Sequence, residues 1–236
     1  MKQIPLTIVP DPLPTFDTYL PGVNLAAVEH LRASGPGAPP VYLWGPPGSG
    51  KTHLLRATLH QHQQRGAAVG SFDAADPAPW LLQPGWTLVA VDRCDELDAQ
   101  RQQAAFALFV HALQCGVLWL AAGRVPPVDL GLRGDLRTRL AWGHVFALQP
   151  AAEHEVRAAL RREADRRGIF LADEVIDYLL RRSARDLGSL MRLLERIDHF
   201  ALARQRTVTL PLLRQVLQEG AAETVAAAAV ATGAPS

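Results

Sequence analysis

Short apolar runs alternate with longer amphipathic stretches over roughly the first 150 residues. The runs are four to six residues long and are bounded by glycine, proline or other turn residues. Runs of this length, separated by helical segments, are typical of buried strands in a parallel sheet, so we expect an α/β domain. The predicted strands are Val41–Trp44, Ala67–Phe72, Thr87–Val91, Val117–Ala122 and His144–Leu148. The predicted helices are Leu25–Arg32, Lys51–Gln64 and Gln100–Gln114.

Beyond Pro150 the strand-like runs stop and only helical patterns remain. One stretch carries leucine, methionine and isoleucine at 187, 190, 191, 194 and 197, which is the spacing of one helix face. We therefore expect a small all-α domain after the α/β domain. The predicted helices of this domain are Glu153–Arg167, Glu174–Arg182, Leu187–Ala203 and Leu210–Leu217.

The predicted organisation of the chain has four parts. Residues 1–22 are interrupted by prolines and are expected to form an extended arm, and residues 23–150 form the α/β domain. Residues 151–218 form the all-α domain. The alanine-rich residues 219–236 offer few bulky side chains for packing and are expected to be disordered.

Composition and charge narrow the class of protein. The 236 residues are enough to bury a core without disulfides. The 24 Lys and Arg nearly balance the 23 Asp and Glu, whereas a protein that holds DNA through bulk positive charge is expected to be more basic. Neither cysteine lies in a Cys-x-x-Cys pair, which fits a reducing cytosol. The sequence shows no signal-peptide pattern and no apolar run near the ~20 residues of a membrane span. We expect a cytoplasmic protein without a membrane partner.

The segment Gly45–Thr52 matches the phosphate-loop pattern G-x-x-x-x-G-K-[ST] in full. It follows a predicted strand and opens a predicted helix, which is the context that phosphate binding requires. The glycines let backbone N–H groups point at phosphate oxygens, and the helix adds the positive end of its dipole. Lys51, one of only two lysines in the chain, is expected to reach the β- and γ-phosphates. The residues predicted to bind nucleotide here are Gly45, Pro46, Pro47, Gly48, Ser49, Gly50, Lys51 and Thr52.

A second element of the phosphate site is expected at the end of a neighbouring strand. Asp92 ends such a strand and, together with the Thr52 hydroxyl, is predicted to hold Mg²⁺. Many phosphate-loop ATPases place another carboxylate directly after this aspartate to polarise the attacking water. Here that position is Arg93, which cannot accept a proton at neutral pH. Intrinsic ATP hydrolysis is therefore expected to be weak, unless Asp95 or Glu96 supplies the base.

The order of phosphate loop, aspartate-bearing strand and terminal all-α domain resembles the AAA+ ATPases. Two further segments resemble the DnaA-like branch of that family, and the resemblance covers about residues 13–218. Phe16–Gly22 is similar to the box that cradles adenine in the initiator DnaA, which implies that Leu20 contributes to nucleotide binding. Leu136–Gly143 is similar to the initiator's arginine-finger box, which implies that Arg139 is the catalytic finger.

The resemblance extends to the Hda-like regulators of the initiator, because this chain ends where DnaA would begin its helix-turn-helix DNA-binding domain. It implies a protein that binds ADP or ATP with Mg²⁺, binds the sliding clamp, and stimulates ATP hydrolysis by DnaA through Arg139. DNA would be reached only indirectly, through the clamp. AAA+ fingers are usually offered to a neighbouring protomer's nucleotide, so a homo-oligomer is also left open.

The resemblance further implies a clamp-binding peptide near the N-terminus. Residues Gln3–Ile8 fit the pattern Q-x-x-[LI]-x-[LF] loosely. Gln3 would hydrogen-bond at the rim of the clamp pocket, while Ile4 and Leu6 would bury apolar area inside it. An N-terminal edge strand would have the same pattern, and the residues alone do not separate the two.

Two features depart from the family. Ala122 and Arg124 stand where polar sensor residues are expected, and Gly188 falls where a nucleotide-sensing arginine is expected. Arg185, three residues earlier on the same helix face, is the candidate replacement and is predicted to contact nucleotide. Both departures fit a protein that keeps its nucleotide mainly as a structural cofactor.

Two other classes of function stay open at this level. One is a self-sufficient phosphate-loop ATPase or kinase, which would need a general base that the sequence does not clearly offer. The other is a helicase-loader-like AAA+ module, which the net charge of +1 disfavours.

Overall fold

The computed structural model describes residues 14–182, residue 188, and residues 190–191, 193–195 and 197–198. The chain divides into two compact units, Met1–Ala151 and Ala152–Ser236. None of the described helices is both long and apolar enough to cross a lipid bilayer.

Among the described residues of the first unit, five strands pair in parallel, in the order β2-β3-β4-β1-β5. Each strand agrees with a predicted apolar run to within one residue at either end. The predicted α/β class with a parallel sheet is therefore confirmed. The strands are β1 Val41–Trp44, β2 Ala68–Phe72, β3 Trp86–Val91, β4 Leu118–Gly123 and β5 His144–Ala147.

Four helices accompany the sheet, namely α1 Leu25–Ala33, α2 Lys51–Gln64, α3 Ala99–Gln114 and α4 Gly134–Leu140. The first three were expected from the sequence, whereas α4 was not. Its seven residues bury only Leu136 and Leu140, four residues apart. One such pair is too little periodicity to indicate a helix, and a helix this short depends on tertiary packing for its stability.

Successive side chains of each strand enter different cores, because they point to opposite faces of the sheet. Leu43 and Leu120 are buried with apolar residues of α1 and α2. Tyr42 and Trp119, their neighbours in sequence, are buried with apolar residues of α3 and α4. Burial on both faces explains why the strands read as continuous apolar runs rather than alternating ones.

Phe16, within the predicted arm, packs into the core of the first unit. Phe16 is 7% exposed and shares a core with α1 and α2, and the Arg32 guanidinium carbon lies 5.2 Å from its ring centroid. The structure thus differs from the predicted extended arm over residues 1–22, because this aromatic side chain has an apolar surface to cover. Residues 1–13 lie outside the described part of the chain.

The second unit contains α5 Glu153–Arg166 and α6 Asp173–Arg182. The described positions of the predicted helix Leu187–Ala203 are helical. The predicted helix Leu210–Leu217 and the tail 219–236 lie outside the described residues. The larger buried apolar side chains of this unit include Val156, Leu160, Val175, Ile176, Leu179, Leu190, Leu194 and Ile197.

Glu163 on α5 joins two arginines in this unit. Its Oε1 accepts hydrogen bonds from Arg166 Nη2 and from Arg167 Nε, each at 2.6 Å. The bonds from Arg166 and then Arg167 lower the pKa of Glu163 to about 2, against the opposing effect of partial burial. The carboxylate therefore stabilises the folded unit as long as it is ionised.

We expect Glu163→Gln to lower the free energy of unfolding at pH 7 by about 1–2 kcal/mol. Because the folded state depresses this pKa from 4.5, the stabilisation is complete above pH 4.5 and is lost as the pH falls toward 2. Urea unfolding followed by circular dichroism at pH 7 and pH 3.5 should show the difference between the two proteins shrinking at the lower pH.

Glu153→Gln is the matched control. Glu153 is 56% exposed, and its partner Arg157 also pairs with Asp177, so its removal should change stability little. A Glu163→Gln deficit of equal size at both pH values would contradict the assignment.

Candidate nucleotide site and arginine-bearing face

The phosphate loop leaves the carboxyl end of β1 and leads directly into α2. Gly50 precedes the helix with φ at +87°, a left-handed conformation that favours glycine. A Cβ at position 50 would lie 2.4 Å from a ring carbon of Tyr19, so the aromatic ring leaves room only for glycine. The first N–H groups of α2 have no partners within the helix, and together with its dipole they favour an anion at this loop.

Lys51 folds back over this loop. Its Nζ donates to the carbonyl oxygens of Gly45 at 2.7 Å and Pro46 at 2.9 Å, and to Ser49 Oγ at 3.4 Å. Burial lowers the pKa of Lys51, while Asp92 and Asp95 act in the opposite direction. The ammonium is therefore held at the loop where phosphate oxygens would compete for its protons.

Thr52 and Asp92 meet at the same place from α2 and from the end of β3. The Thr52 hydroxyl donates to Asp92 Oδ2 at 2.5 Å, and the Arg93 N–H donates to Asp92 Oδ1 at 2.8 Å. A hydroxyl and a carboxylate oxygen are the hard donors that Mg²⁺ prefers, and Mg²⁺ usually takes its other ligands from phosphates and water. Within the described residues no cluster of three or more His, Cys, Asp or Glu could hold a metal. The site thus fits Mg²⁺ shared with a nucleotide rather than a metal held by protein alone.

Arg93, in place of a second carboxylate, turns toward other acids. Its backbone has φ at +53°, the one non-glycine residue with positive φ among those described. Its guanidinium pairs with Asp73 at 2.7 Å and with Glu96 at 3.4 Å. Burial would raise the pKa of Asp73, but hydrogen bonds from the Ala75 N–H and from Arg93 hold it below its usual value. No sequence pattern indicates this pairing, because Asp73 lies at the end of a different strand.

Arg124, which follows β4, binds the two acids that were candidate bases. Its N–H donates to Asp95 Oδ1 at 3.0 Å, and its guanidinium pairs with Asp95 Oδ2 and with Glu96 Oε1. Both carboxylates are therefore engaged by arginine in this arrangement, and neither is placed as an unpaired base.

Tyr19 and Asn24 connect the DnaA-like box to the phosphate loop. Tyr19 Oη donates to the Ser49 carbonyl at 3.0 Å, and Asn24 Nδ2 donates to Tyr19 Oη at 2.9 Å. Asn24, 5% exposed, also exchanges two hydrogen bonds with the backbone of Gln149 after β5. Burial raises the pKa of Tyr19 to about 12, so its hydroxyl remains a donor at neutral pH. Leu20, which was predicted to contribute to nucleotide binding, follows Tyr19 and is partly exposed.

Arg139 lies in the last turn of α4, just before β5. Val41 pairs with His144 and Trp44 with Ala147 in the parallel register, so α4 meets the amino end of β5 while the phosphate loop leaves the carboxyl end of β1. The length of β1, about 13 Å, separates the two edges. Arg139 is exposed, and its guanidinium carbon lies 5.7 Å from the centroid of the Trp142 ring.

The structure thus brings together the loop residues 45–52 and Asp92 at the carboxyl ends of the strands. Arg139 lies near the amino ends of the same strands. Four predicted site residues, Gln3, Ile4, Leu6 and Arg185, lie outside the described residues.

The lid sequence and the fold of this chain both have known counterparts. Residues 153–217 match the family model described as the lid domain of Hda. The fold is similar to domain III of the replication initiation protein DnaA from Thermotoga maritima, with a TM-score of 0.69 and 19% identity, covering 88% of this chain and 98% of that one. It is also similar to AMPPCP-bound DnaA from Aquifex aeolicus, with a TM-score of 0.59 and 19% identity, covering 77% and 65%. A third similar structure is the Thermotoga maritima RuvB Holliday junction branch migration motor, with a TM-score of 0.56 and 17% identity, covering 84% and 66%.

At these identities the structural similarities define the fold, and the lid match adds a sequence relationship over the second unit. The lid match therefore relates residues 153–217 to the Hda lid-domain family, and the structural similarities, together with the parallel sheet in the order 2-3-4-1-5, give this chain the AAA+ fold.

Proposed function

We propose that this chain is an Hda-like regulator of replication initiation. It binds ADP or ATP with Mg²⁺ at Gly45–Thr52 and Asp92, and it binds the DNA polymerase sliding clamp through Gln3, Ile4 and Leu6. It then stimulates ATP hydrolysis by the initiator DnaA by supplying Arg139. DNA is reached through the clamp.

The observation that carries this proposal is the contrast between two groups of arginines. At the chain's own phosphate loop, Arg93 pairs with Asp73 and Glu96, and Arg124 pairs with Asp95 and Glu96, so neither candidate base Asp95 nor Glu96 is unpaired. At the other edge of the sheet, Arg139 is exposed and pairs with no carboxylate among the described residues. Such a protein is suited to acting on a partner's ATP rather than on its own.

The position of Arg139 further supports action on a partner. The helix α4, which carries Arg139, meets the amino end of β5, about one strand length from the edge where the chain's own phosphate loop leaves β1. A finger neutralises the charge that develops on the γ-phosphate, so it must touch the nucleotide on which it acts. A nucleotide held by another protomer or by the initiator meets that condition.

Nucleotide binding is supported by the geometry of the loop and by its relatives. Lys51, Thr52 and Asp92 converge beside the glycine-rich turn, in the arrangement that phosphate and Mg²⁺ require. The similar Aquifex aeolicus DnaA was solved bound to AMPPCP, an ATP analogue. Tyr19 and Asn24 hold the box before α1 against this loop, where an adenine would complete the site.

The decisive experiment loads the initiator with γ-³²P-labelled ATP and follows phosphate release. The full chain, clamp-loaded DNA and both together are added in separate reactions. We expect fast release only when the chain and the clamp-loaded DNA are both present. Fast turnover by the chain alone would favour a self-sufficient ATPase, and tight DNA binding without the clamp would favour a helicase-loader-like module.

Lys51→Ala should weaken binding of a fluorescent ADP analogue roughly tenfold to a hundredfold, because it removes charge-assisted hydrogen bonds to phosphate. Fluorescence anisotropy with Mg²⁺ present measures this directly. The other lysine provides the control, since Lys2→Ala should bind the analogue as the wild-type chain does. Equal affinity of all three proteins would exclude Lys51 from the site.

Arg139→Ala should reduce the stimulated hydrolysis on the initiator by roughly 10³–10⁵-fold, the range typical of an arginine finger, while clamp binding stays unchanged. The matched control is Arg137→Ala, which removes an exposed arginine from the same helix. Normal stimulation by Arg139→Ala, or an equal loss with Arg137→Ala, would contradict the assignment.

The double variant Gln3→Ala/Leu6→Ala should lose most of its binding to immobilised clamp, because Leu6 burial alone is worth roughly 1.5–3 kcal/mol. Its affinity for ADP should stay unchanged, since these residues do not belong to the phosphate site. Retention equal to that of the wild-type chain would exclude this peptide as the clamp-binding segment.

A further inference from the structure

The turn after α4 holds an exposed aromatic ring beside the proposed finger. Arg139 and Trp142 lie three residues apart, and the Trp142 N–H donates to the Arg139 carbonyl at 3.2 Å. The Arg139 guanidinium carbon lies 5.7 Å from the ring centroid, within the range of a cation–π contact. Trp142 is 58% exposed, so this indole does not serve mainly to fill the core.

The partner of a guanidinium decides whether its charge is available to a ligand. At the start of α4, Arg133 pairs with Asp135 at 2.8 Å, so its charge is neutralised locally. Among the described residues, Arg139 has no carboxylate partner and instead meets the face of Trp142. An aromatic face attracts a cation without neutralising it and leaves the N–H donors at the guanidinium edge for phosphate oxygens.

The position of Trp142 is fixed by the glycine that follows it. A Cβ on Gly143 would lie 1.8 Å from the carbonyl oxygen of Pro40, the residue before β1. The same oxygen accepts a hydrogen bond from the His144 N–H at 2.8 Å. The turn is thus held against the amino ends of β1 and β5, and Leu136 and Leu140 hold the preceding helix in the core.

We propose that Trp142 is a positioning residue for Arg139. The indole face restricts the rotamers of an otherwise free arginine and holds its guanidinium toward a γ-phosphate bound by another protein. The Arg139 side chain therefore loses part of its conformational entropy already in the free protein, so less is lost when the partner binds. The proposal rests on the proposed function, and it assigns to Trp142 an effect on the rate of the chemical step rather than on association.

The kinetic test measures stimulated hydrolysis of initiator-bound ATP on clamp-loaded DNA, with the full chain varied in concentration. Trp142→Ala should lower the maximal rate roughly tenfold while the half-maximal concentration changes by less than about twofold. Trp142→Phe should restore most of the rate, because it keeps an aromatic face. Val128→Ala is the matched control, since it removes another apolar side chain, 75% exposed, without touching a finger.

Two kinetic outcomes would overturn the proposal. One is a maximal rate that is unchanged by Trp142→Ala. The other is a loss confined to the half-maximal concentration, which would make Trp142 a contact with the partner instead. Thermal unfolding of each variant separates these outcomes from a folding defect. A wild-type chain that gives no stimulation would overturn the proposed function itself, and with it the positioning role of Trp142.

The contact itself can be tested without any partner. The ring current of the indole should shift the Arg139 Nε–Hε resonance of the full chain upfield in ¹H–¹⁵N spectra, where Arg139→Lys identifies the signal by removing it. Trp142→Ala should move this resonance downfield, and Val128→Ala should not. A resonance that stays in place in Trp142→Ala would overturn the proposal even if the chain stimulates the initiator.

Discussion

The parallel pairing of β1 between β4 and β5 is the constraint on which the two functional faces depend. At the carboxyl end of β1 the chain turns into the phosphate loop, and the ends of β3 and β4 bring Asp92 and Arg124 to the same edge. At the amino end, the carbonyl group of Pro40 contacts the turn that carries Trp142 and Gly143. The phosphate loop and the turn that carries Trp142 therefore lie at opposite ends of the parallel strands, about one strand length apart.

The arginines of this chain differ in function because they differ in what they touch. Arg93 and Arg124 pair with carboxylates beside the phosphate loop, so their charges are neutralised locally. Arg139 meets an aromatic face and keeps its charge for a ligand. The same residue type is thus neutralised by carboxylates in one place and carries an unneutralised charge in another. The net charge of +1 does not reveal this difference between arginines, because a net charge does not depend on which residues pair with one another.

The sequence was sufficient for features that are encoded locally. The five strands follow from apolar runs, and the loop Gly45–Thr52 follows from glycine positions and one lysine. Features that depend on distant partners were not predictable in this way. The helix α4 is stabilised by packing rather than by its own periodicity, so the sequence did not predict the helical turn that carries Arg139.

The partners of the site's side chains were the feature that the sequence predicted least well. Asp73 and Arg93 are brought together by the pairing of β2 with β3, and Tyr19 reaches Ser49 from a segment that had been predicted to form an extended arm. A phosphate-loop pattern specifies the loop residues, but it contains no information about which side chains will occupy the neighbouring strand ends. The orientation of the Arg93 side chain therefore depends on Asp73 and Glu96 as much as on Arg93 itself.

The edge strand β5 links the two faces physically. At its carboxyl end, a Cβ on Gly45 would lie 2.3 Å from the Leu148 carbonyl oxygen, and Gln149 is bonded to Asn24, which in turn holds Tyr19 against the loop. At its amino end, the turn at Gly143 presents Arg139. β5 thus contacts the phosphate loop beyond one end and carries the turn beside Arg139 at the other. β5 is therefore the element through which ordering of the loop by a nucleotide would reach the turn that carries Arg139.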